Sequence, residues 1–373
     1  MSARQPGPGR LHDGSAGWPL VPTVGWVGPA RDGAVTLIDQ TLLPEEEVIL
    51  EIRDLERLAE AIRELRVRGA PAIGIAGAYG VVLAAGRAGH TARDADQALR
   101  ELEEQAARLA AVRPTAVNLT WAIERVCGVV RASLAAGRPP GEGCDTALAE
   151  ARAIHAEDLA MSRAMGASGL PLVAPGARIV THCNTGGLAT GGLGTALAVV
   201  FAAARAGRAP RVFVDETRPL LQGARLTTWE LMKAGIEATL LVDGGAAWLM
   251  ASRGVDLALV GADRVAANGD AANKIGTYAL AVAAARHGVP FYVVAPSSTF
   301  DAACPSGGEI VVEERPADEV RSFRGRAAAP RGVAVWNPAF DVTPAELITG
   351  WITEGGIVRP PFDFAPSGPR SGA

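Results

Sequence analysis

Ala177-Arg-Ile-Val-Thr-His-Cys-Asn-Thr-Gly-Gly187 runs from a short β-branched stretch into a glycine-rich turn, and an alanine-rich helical candidate follows at 193–206. The pattern recurs downstream. Arg211-Val-Phe-Val214, Ala238-Thr-Leu-Leu-Val242, Leu257-Ala-Leu-Val260 and Phe291-Tyr-Val-Val294 read as strands, with helical candidates at 224–234, 246–253 and 275–287. Strands alternating with helices indicate βαβ units, so this half is expected to be a Rossmann-like, doubly wound parallel sheet. Open sheets of that kind bind ligands outside the carboxyl ends of their strands. There the sequence places Cys183-Asn-Thr-Gly-Gly187, Asp215-Glu-Thr-Arg218, Asp243-Gly-Gly245, Gly261-Ala-Asp-Arg264 and Ala295-Pro-Ser-Ser298. A thiol, several carboxylates, an arginine and glycine turns thus converge on one edge, which points to a small-molecule site.

Upstream the pattern differs. Between Val21 and Ile52, Val35-Thr-Leu-Ile38 and Glu47-Val-Ile-Leu-Glu-Ile52 flank turn residues Ala30-Arg-Asp-Gly33, which fits a small antiparallel unit. From Asp54 to about Met165 the spacing is helical, as in Leu55, Leu58, Ala61, Ile62 and Leu65, or Leu99, Leu102, Ala106 and Leu109. The expected organisation is a disordered tail at 1–20, a mostly helical N-terminal domain at 21–160, the Rossmann-like domain at 161–365 and a disordered tail at 366–373.

Composition limits the function. With 373 residues, 49% hydrophobic and 20% charged, the chain is long and apolar enough for a real core and is not a disordered sequence. A net charge of −4 without a basic run argues against nucleic acid or an anionic membrane as partner. Ile179 to Ala204 is uncharged over a membrane-spanning length, but its glycines, threonines, His182 and Asn184 suit strand, loop and short helix better. MSARQPGPGRLHDG lacks the apolar centre of a signal peptide. Cys127, Cys144, Cys183 and Cys304 show no CxxC spacing, so neither a disulfide framework nor a zinc site is expected. The location expected is cytoplasmic, and no metal or cofactor is implied.

Among the cysteines, Cys127 and Cys144 read as buried core, whereas Cys183 ends a strand just before a helix start, where a thiolate is favoured. His182 is its neighbour in a strand, so the two side chains are expected on opposite faces and His182 reads as structural. Asn184–Thr195 is glycine-rich enough to cradle a phosphate with backbone amides. A dinucleotide site fits less well, because GxGxxG is absent. Asp263 follows a strand, and Asn273-Lys274 follows a polar Gly269-Asp turn. Only Lys233 and Lys274 among 36 basic residues are lysines, which marks Lys274 for attention. Asp215, Asp243 and Asp270 divide evenly between site carboxylates and turn or cap residues. Val67-Arg-Gly-Ala-Pro71 and Arg113-Pro-Thr115 set arginines beside rigid backbone, an arrangement suited to phosphate.

Taken together, Val67-Arg-Gly-Ala-Pro-Ala-Ile-Gly74, Arg113-Pro-Thr-Ala-Val-Asn118, Thr181-His-Cys-Asn-Thr-Gly186, Asp215-Glu-Thr-Arg-Pro-Leu-Leu-Gln-Gly-Ala-Arg225, Gly261-Ala-Asp-Arg-Val265, Asn273-Lys-Ile-Gly-Thr277 and Asn337-Pro-Ala-Phe-Asp341 resemble the 5-methylthioribose-1-phosphate isomerases. That family shares its fold with regulatory subunits of the translation initiation exchange factor and with ribose-1,5-bisphosphate isomerases. The resemblance spans about 20–365. It implies an aldose–ketose isomerase of methionine salvage that forms a homodimer. It implies Asp263 and Cys183 as the catalytic pair, and Arg68, Gly69, Ala70, Arg113, Gln222, Asn273 and Lys274 as the residues holding a sugar phosphate. Asp263 would protonate the ring oxygen, its pKa raised by burial or by carboxylates such as Asp215. Cys183 would act as base or support the transition state. A ribose-1,5-bisphosphate isomerase or a non-catalytic regulatory subunit is the alternative.

Overall fold

The computed structural model describes residues 23–113, 116–323 and 325–362; the tails expected at 1–20 and 366–373, and Pro114-Thr115, lie outside the described residues. The chain forms two compact units. Among the described residues, one comprises 23–160 and 186–194, the other 161–185 and 195–362.

In the first unit, β1 (Val24–Val27), β2 (Ala34–Ile38) and β3 (Ile49–Ile52) form an antiparallel sheet in that order, as the alternating apolar runs predict. Helix α1 (Leu55–Arg63) starts at Asp54, whose side chain accepts the Arg57 N–H at 2.8 Å, a cap of the sort that stabilises by about 1 kcal/mol. Helices α2 (Ala70–Thr91), α3 (Ala95–Ala110), α4 (Val117–Ala135) and α5 (Gly143–Gly169) follow. Helix α2 is apolar on nearly every side and is correspondingly the central core helix, with Ile75, Ala78, Val81 and Val82 buried. It is long and apolar enough to cross a membrane, but most of that stretch is buried inside the protein. Its glycines allow close packing: a Cβ on Gly77 would lie 2.5 Å from Leu119 of α4.

In the second unit, β4 (Arg178–Thr181), α6 (Ala196–Arg205), β5 (Arg211–Asp215), α7 (Thr228–Lys233), β6 (Glu237–Leu241), α8 (Gly245–Ser252) and β7 (Leu257–Val260) alternate as the sequence pattern predicts. Next come β8 (Arg264–Ala266), β9 (Ala271–Lys274), α9 (Thr277–His287), β10 (Phe291–Val294), β11 (Phe300–Asp301), helix α10 (Asp318–Arg321) and a small hairpin of β12 (Ser322–Phe323) and β13 (Arg326–Ala327). Strands β14 (Phe340–Thr343), β15 (Gly350–Thr353) and β16 (Gly356–Val358) complete the order. The main sheet runs β16-β15-β10-β7-β4-β5-β6 and is parallel except for the β15–β16 hairpin. From β4 the order grows outward through β5 and β6, and on the other side from β7 through β10 and β15. The reversal between β4 and β7 is the topological switch point, where such sheets bind ligands. Beside it lies a second sheet, β11-β8-β9-β14. Ala271-Ala-Asn-Lys274 lacks β-branched residues and reads in the sequence as the end of a turn. It is a strand because antiparallel partners flank it on both sides, Arg264 against Ala272 and Asp341 against Asn273.

Candidate functional site

Cys183 follows β4 directly, at the switch point. Its φ is +62°, a left-handed conformation that costs a residue with a side chain about 1–2 kcal/mol. Surrounding groups fix it there. The Cys183 N–H donates to the Thr217 hydroxyl oxygen at 2.9 Å, and its carbonyl accepts the Thr227 hydroxyl at 2.6 Å. Thr217, at φ +65°, donates its own hydroxyl to the Asp215 carbonyl at 3.0 Å. The N–H groups of Thr217 and Arg218 go to the two carboxylate oxygens of Asp243, at 2.7 and 2.6 Å. Two left-handed residues held by so many bonds are a backbone built to aim something, and strain of this kind clusters at functional sites. The thiol they aim is buried.

Lys274 is a cation electrostatically coupled to that thiol. It ends β9 with its side chain buried, and burial pushes its pKa below the usual lysine range. Cys183, Asp263 and Glu319 oppose that shift by attraction, and Arg315 adds to it by repulsion. Thiol, ammonium and carboxyl therefore share one electrostatic neighbourhood at the ends of β4, β9 and β7. Asn273, next to Lys274, is buried and donates its Nδ2 to the Thr277 hydroxyl at 3.0 Å. Glu319 is held by Arg315 at 2.5 Å and by Asn337 at 3.3 Å, which places the Asn337-Pro-Ala-Phe-Asp341 segment behind the lysine's counter-charge.

Gln222 sits at the start of a π-helical turn (Gly223–Thr227) that leads into α7. A Cβ on Gly223 would lie 1.7 Å from the Asp215 carbonyl, so only glycine lets the turn close against the end of β5. Gln222 is buried and its Oε1 has no hydrogen-bond partner, an uncommon state for a buried acceptor and one that a ligand hydroxyl would relieve.

Three sequence expectations change. Asp263 lies on the β7–β8 turn with its N–H paired to the Ala272 carbonyl, and its side chain is exposed rather than buried. Asp215, expected as a neighbouring carboxylate for Asp263, turns instead to His182. Asp270 ties three loops by accepting from the Asn268 side chain and from the Gly307 and Ala345 N–H groups, so it is structural. Sequence reasoning set aside His182, and it gave no role to Thr217, Glu319 or Arg315; only His182 and Thr217 were signalled, by their positions beside strand ends.

In the helical unit, Gly69 caps α2 at φ +92°, and a Cβ there would meet the Ala189 carbonyl at 2.4 Å. Arg68 and Ala70 flank it, half-buried, and Arg113 is half-buried ahead of α4. The glycine loop that the sequence offered as a phosphate cradle is engaged differently. The Gly191 N–H donates to Asp158 at 2.6 Å, those of Gly192 and Gly194 to the Thr190 hydroxyl at 3.2 and 2.9 Å, and that of Thr195 to the Thr185 carbonyl at 2.8 Å. The amides of Gly191, Gly192, Gly194 and Thr195 are therefore already engaged, one of them by a carboxylate. Among the described residues no group of three or more His, Cys, Asp or Glu side chains is placed to hold a metal ion.

Comparison with known proteins fits this geometry. Residues 66–360 match the initiation factor 2 subunit family. The chain is 54% identical over 344 residues to a methylthioribose-1-phosphate isomerase of Pelotomaculum thermopropionicum, covering 92% of this chain and 93% of that one. It is 52% identical over 344 residues to a 5-deoxyribose 1-phosphate isomerase of Moorella thermoacetica, covering 92% and 95%. Among solved structures, the 5-methylthioribose 1-phosphate isomerase of Pyrococcus horikoshii matches with a TM-score of 0.84 and 43% identity over 92% of this chain and 95% of that one. The translation initiation factor eIF-2B subunit delta of A. fulgidus matches with a TM-score of 0.83 and 44% identity over 92% and 97%. The chain belongs to the initiation factor 2 subunit family, among relatives that carry the name methylthioribose-1-phosphate isomerase.

Proposed function

We propose that this chain is an aldose–ketose isomerase that converts 5-methylthioribose 1-phosphate into 5-methylthioribulose 1-phosphate in methionine salvage. The observation that carries it is the buried, left-handed Cys183 at the switch point, with the buried Lys274 ammonium electrostatically coupled to its thiol. A binding subunit without chemistry gains nothing from a strained thiol beside a buried cation.

The substrate dictates the roles. Phosphate on C1 blocks opening to a free aldehyde, so the bond between C1 and the ring oxygen must break with the electron pair leaving on oxygen. Asp263 donates a proton to that oxygen, and C1 becomes an oxocarbenium centre. Cys183 as thiolate then takes the proton from C2, giving an enol, and returns a proton to C1 while the C2 hydroxyl loses its own proton to Asp263. Protons in and out balance, and both groups end as they began. Direct hydride transfer from C2 to C1 is the other route, with Cys183 supporting the transition state. The attraction between Lys274 and Cys183 is mutual, so the ammonium supports negative charge on the sulfur. On the family resemblance, Arg68, Gly69, Ala70, Arg113, Gln222, Asn273 and Lys274 are assigned to the sugar phosphate, with Arg68, Arg113 and Lys274 neutralising the phosphate. A homodimer and a cytoplasmic location complete the proposal on the family resemblance, and a solution mass of twice the monomer checks the first.

Turnover of 5-methylthioribose 1-phosphate, compared with the 5-deoxy and 5-phospho analogues, tests the assignment. Preference for the methylthio compound supports it; conversion of ribose 1,5-bisphosphate alone replaces it with the bisphosphate isomerase. Run in D2O, deuterium at C1 of the product selects the enol route, and its complete absence selects hydride transfer.

A further inference from the structure

His182 is the residue the mechanism leaves unused. It is 1% exposed, and each ring nitrogen faces an acceptor: Nδ1 lies 3.1 Å from Asp215 Oδ2 and Nε2 lies 2.8 Å from the Ile275 carbonyl. Its place in the chain gives those bonds meaning. His182 is peptide-bonded to Cys183, and Ile275 is peptide-bonded to Lys274. One imidazole therefore links the residue before the thiol to the residue after the ammonium.

The link is stiff at both ends. Asp215 holds the ring by its side chain, while its backbone carbonyl takes the Thr217 hydroxyl that in turn accepts the Cys183 N–H. His182, Asp215, Thr217 and Cys183 thus form a closed circuit. On the far side, the Gly276 N–H donates to Asp341 Oδ2 at 2.7 Å and the Tyr278 N–H to Asp341 Oδ1 at 3.1 Å, which grips the turn after Lys274 from its other flank. A Cβ on Gly276, at φ +105°, would stand 2.7 Å from His182 Cε1, so the turn carries glycine where the ring passes. We infer that His182 is a positioning residue that sets the Cys183 sulfur against the Lys274 ammonium through its Nε2–H bond to Ile275.

This inference rests on the isomerase reading for its kinetics but not for its chemistry at the thiol, and two variants separate the cases. A glutamine amide nitrogen occupies nearly the place of Nε2, so His182→Gln keeps the donor to Ile275 and loses Asp215. An asparagine reaches only the place of Nδ1, so His182→Asn keeps Asp215 and loses Ile275. A residue that merely pairs a buried charge with Asp215 favours asparagine; the positioning role favours glutamine. The expected result is kcat within about fivefold of the parent for His182→Gln and down about 100-fold for His182→Asn, the scale of a misplacement near 1 Å. The pH profile of Cys183 alkylation by iodoacetamide, read on its own peptide by mass spectrometry, should match the parent in His182→Gln and move to higher pH in His182→Asn. Should the parent fail to turn over substrate, the isomerase reading falls while the alkylation profiles still decide the role of His182. Equal behaviour of the two folded variants, or the reverse order, overturns the inference. If His182→Asn does not fold, the Nε2 proton of the parent decides: slow exchange from pH 6 to 9 supports the link, and a freely exchanging proton overturns it.

Discussion

Asp158 shows how much one side chain can cost. It is buried on α5, where burial pushes its carboxyl up to about 6 although the Gly191 N–H bonds it. One helical turn back, His155 faces the Gly191 carbonyl with Nε2 at 2.8 Å, so that nitrogen carries the proton and the Tyr79 hydroxyl donates to Nδ1 at 3.2 Å. The Gly191 peptide is clasped on both edges. Because the folded-state pKa lies above the ordinary 3.8, the folded protein holds the proton more tightly than the unfolded chain. Stability from this group is therefore full below about pH 4 and is lost as pH rises through 6, a difference of about 3 kcal/mol. Asp158→Asn should raise the Tm at pH 7.5 and flatten the pH dependence between 4 and 6; an unchanged slope in thermal melts would contradict the burial account. Lys274 carries a similar cost with a functional return. Its pKa is lowered by burial, so Lys274→Met should raise the Tm at pH 7 while reducing turnover at least about 100-fold. A variant that gains stability and keeps its rate would remove Lys274 from the site.

Among the elements, the π-helical turn at Gly223–Thr227 is the most demanding, since a Cβ on Gly223 overlaps the Asp215 carbonyl. Gly223→Ala should cost roughly 3 kcal/mol, a fall in Tm of roughly 10 °C, and should displace Gln222. A circular-dichroism melt within 2 °C of the parent would contradict it. This turn also shows where the sequence stops being legible. The 224–234 stretch reads as one helix, because apolar spacing reports a period and not the widened turn that precedes α7. Strands β4, β5, β7 and β10 are legible because β-branched runs between glycine turns leave few alternatives. Strand β9 is not, since its conformation comes from Arg264 and Asp341 on neighbouring strands. The loop after Cys183 misleads for a related reason: glycine content shows that amides are accessible, but not that Asp158 and Thr190 have already taken them.

At the scale of the molecule, alternation of strand and helix in the sequence is enough to place the carboxyl ends of the parallel strands, and with them Cys183, Asp263 and Asp215, on one edge of a doubly wound sheet. Which of those groups face each other depends on partners distant in sequence. His182 reads as structural in isolation and gains its importance only from Ile275, 93 residues away. Asp263 is expected in a buried setting and stands exposed on its turn, so burial does not account for the acid role proposed for it. The central claim is that Asp263 supplies the proton that opens the sugar ring. Its most direct test is the kcat of the parent and of Asp263→Asn on 5-methylthioribose 1-phosphate, with binding of the substrate measured on the same samples. The parent should convert substrate to the ketose phosphate without added nucleotide, and Asp263→Asn should bind with little change yet turn over at least about a thousandfold more slowly. Near-parental turnover by Asp263→Asn would contradict the assignment outright.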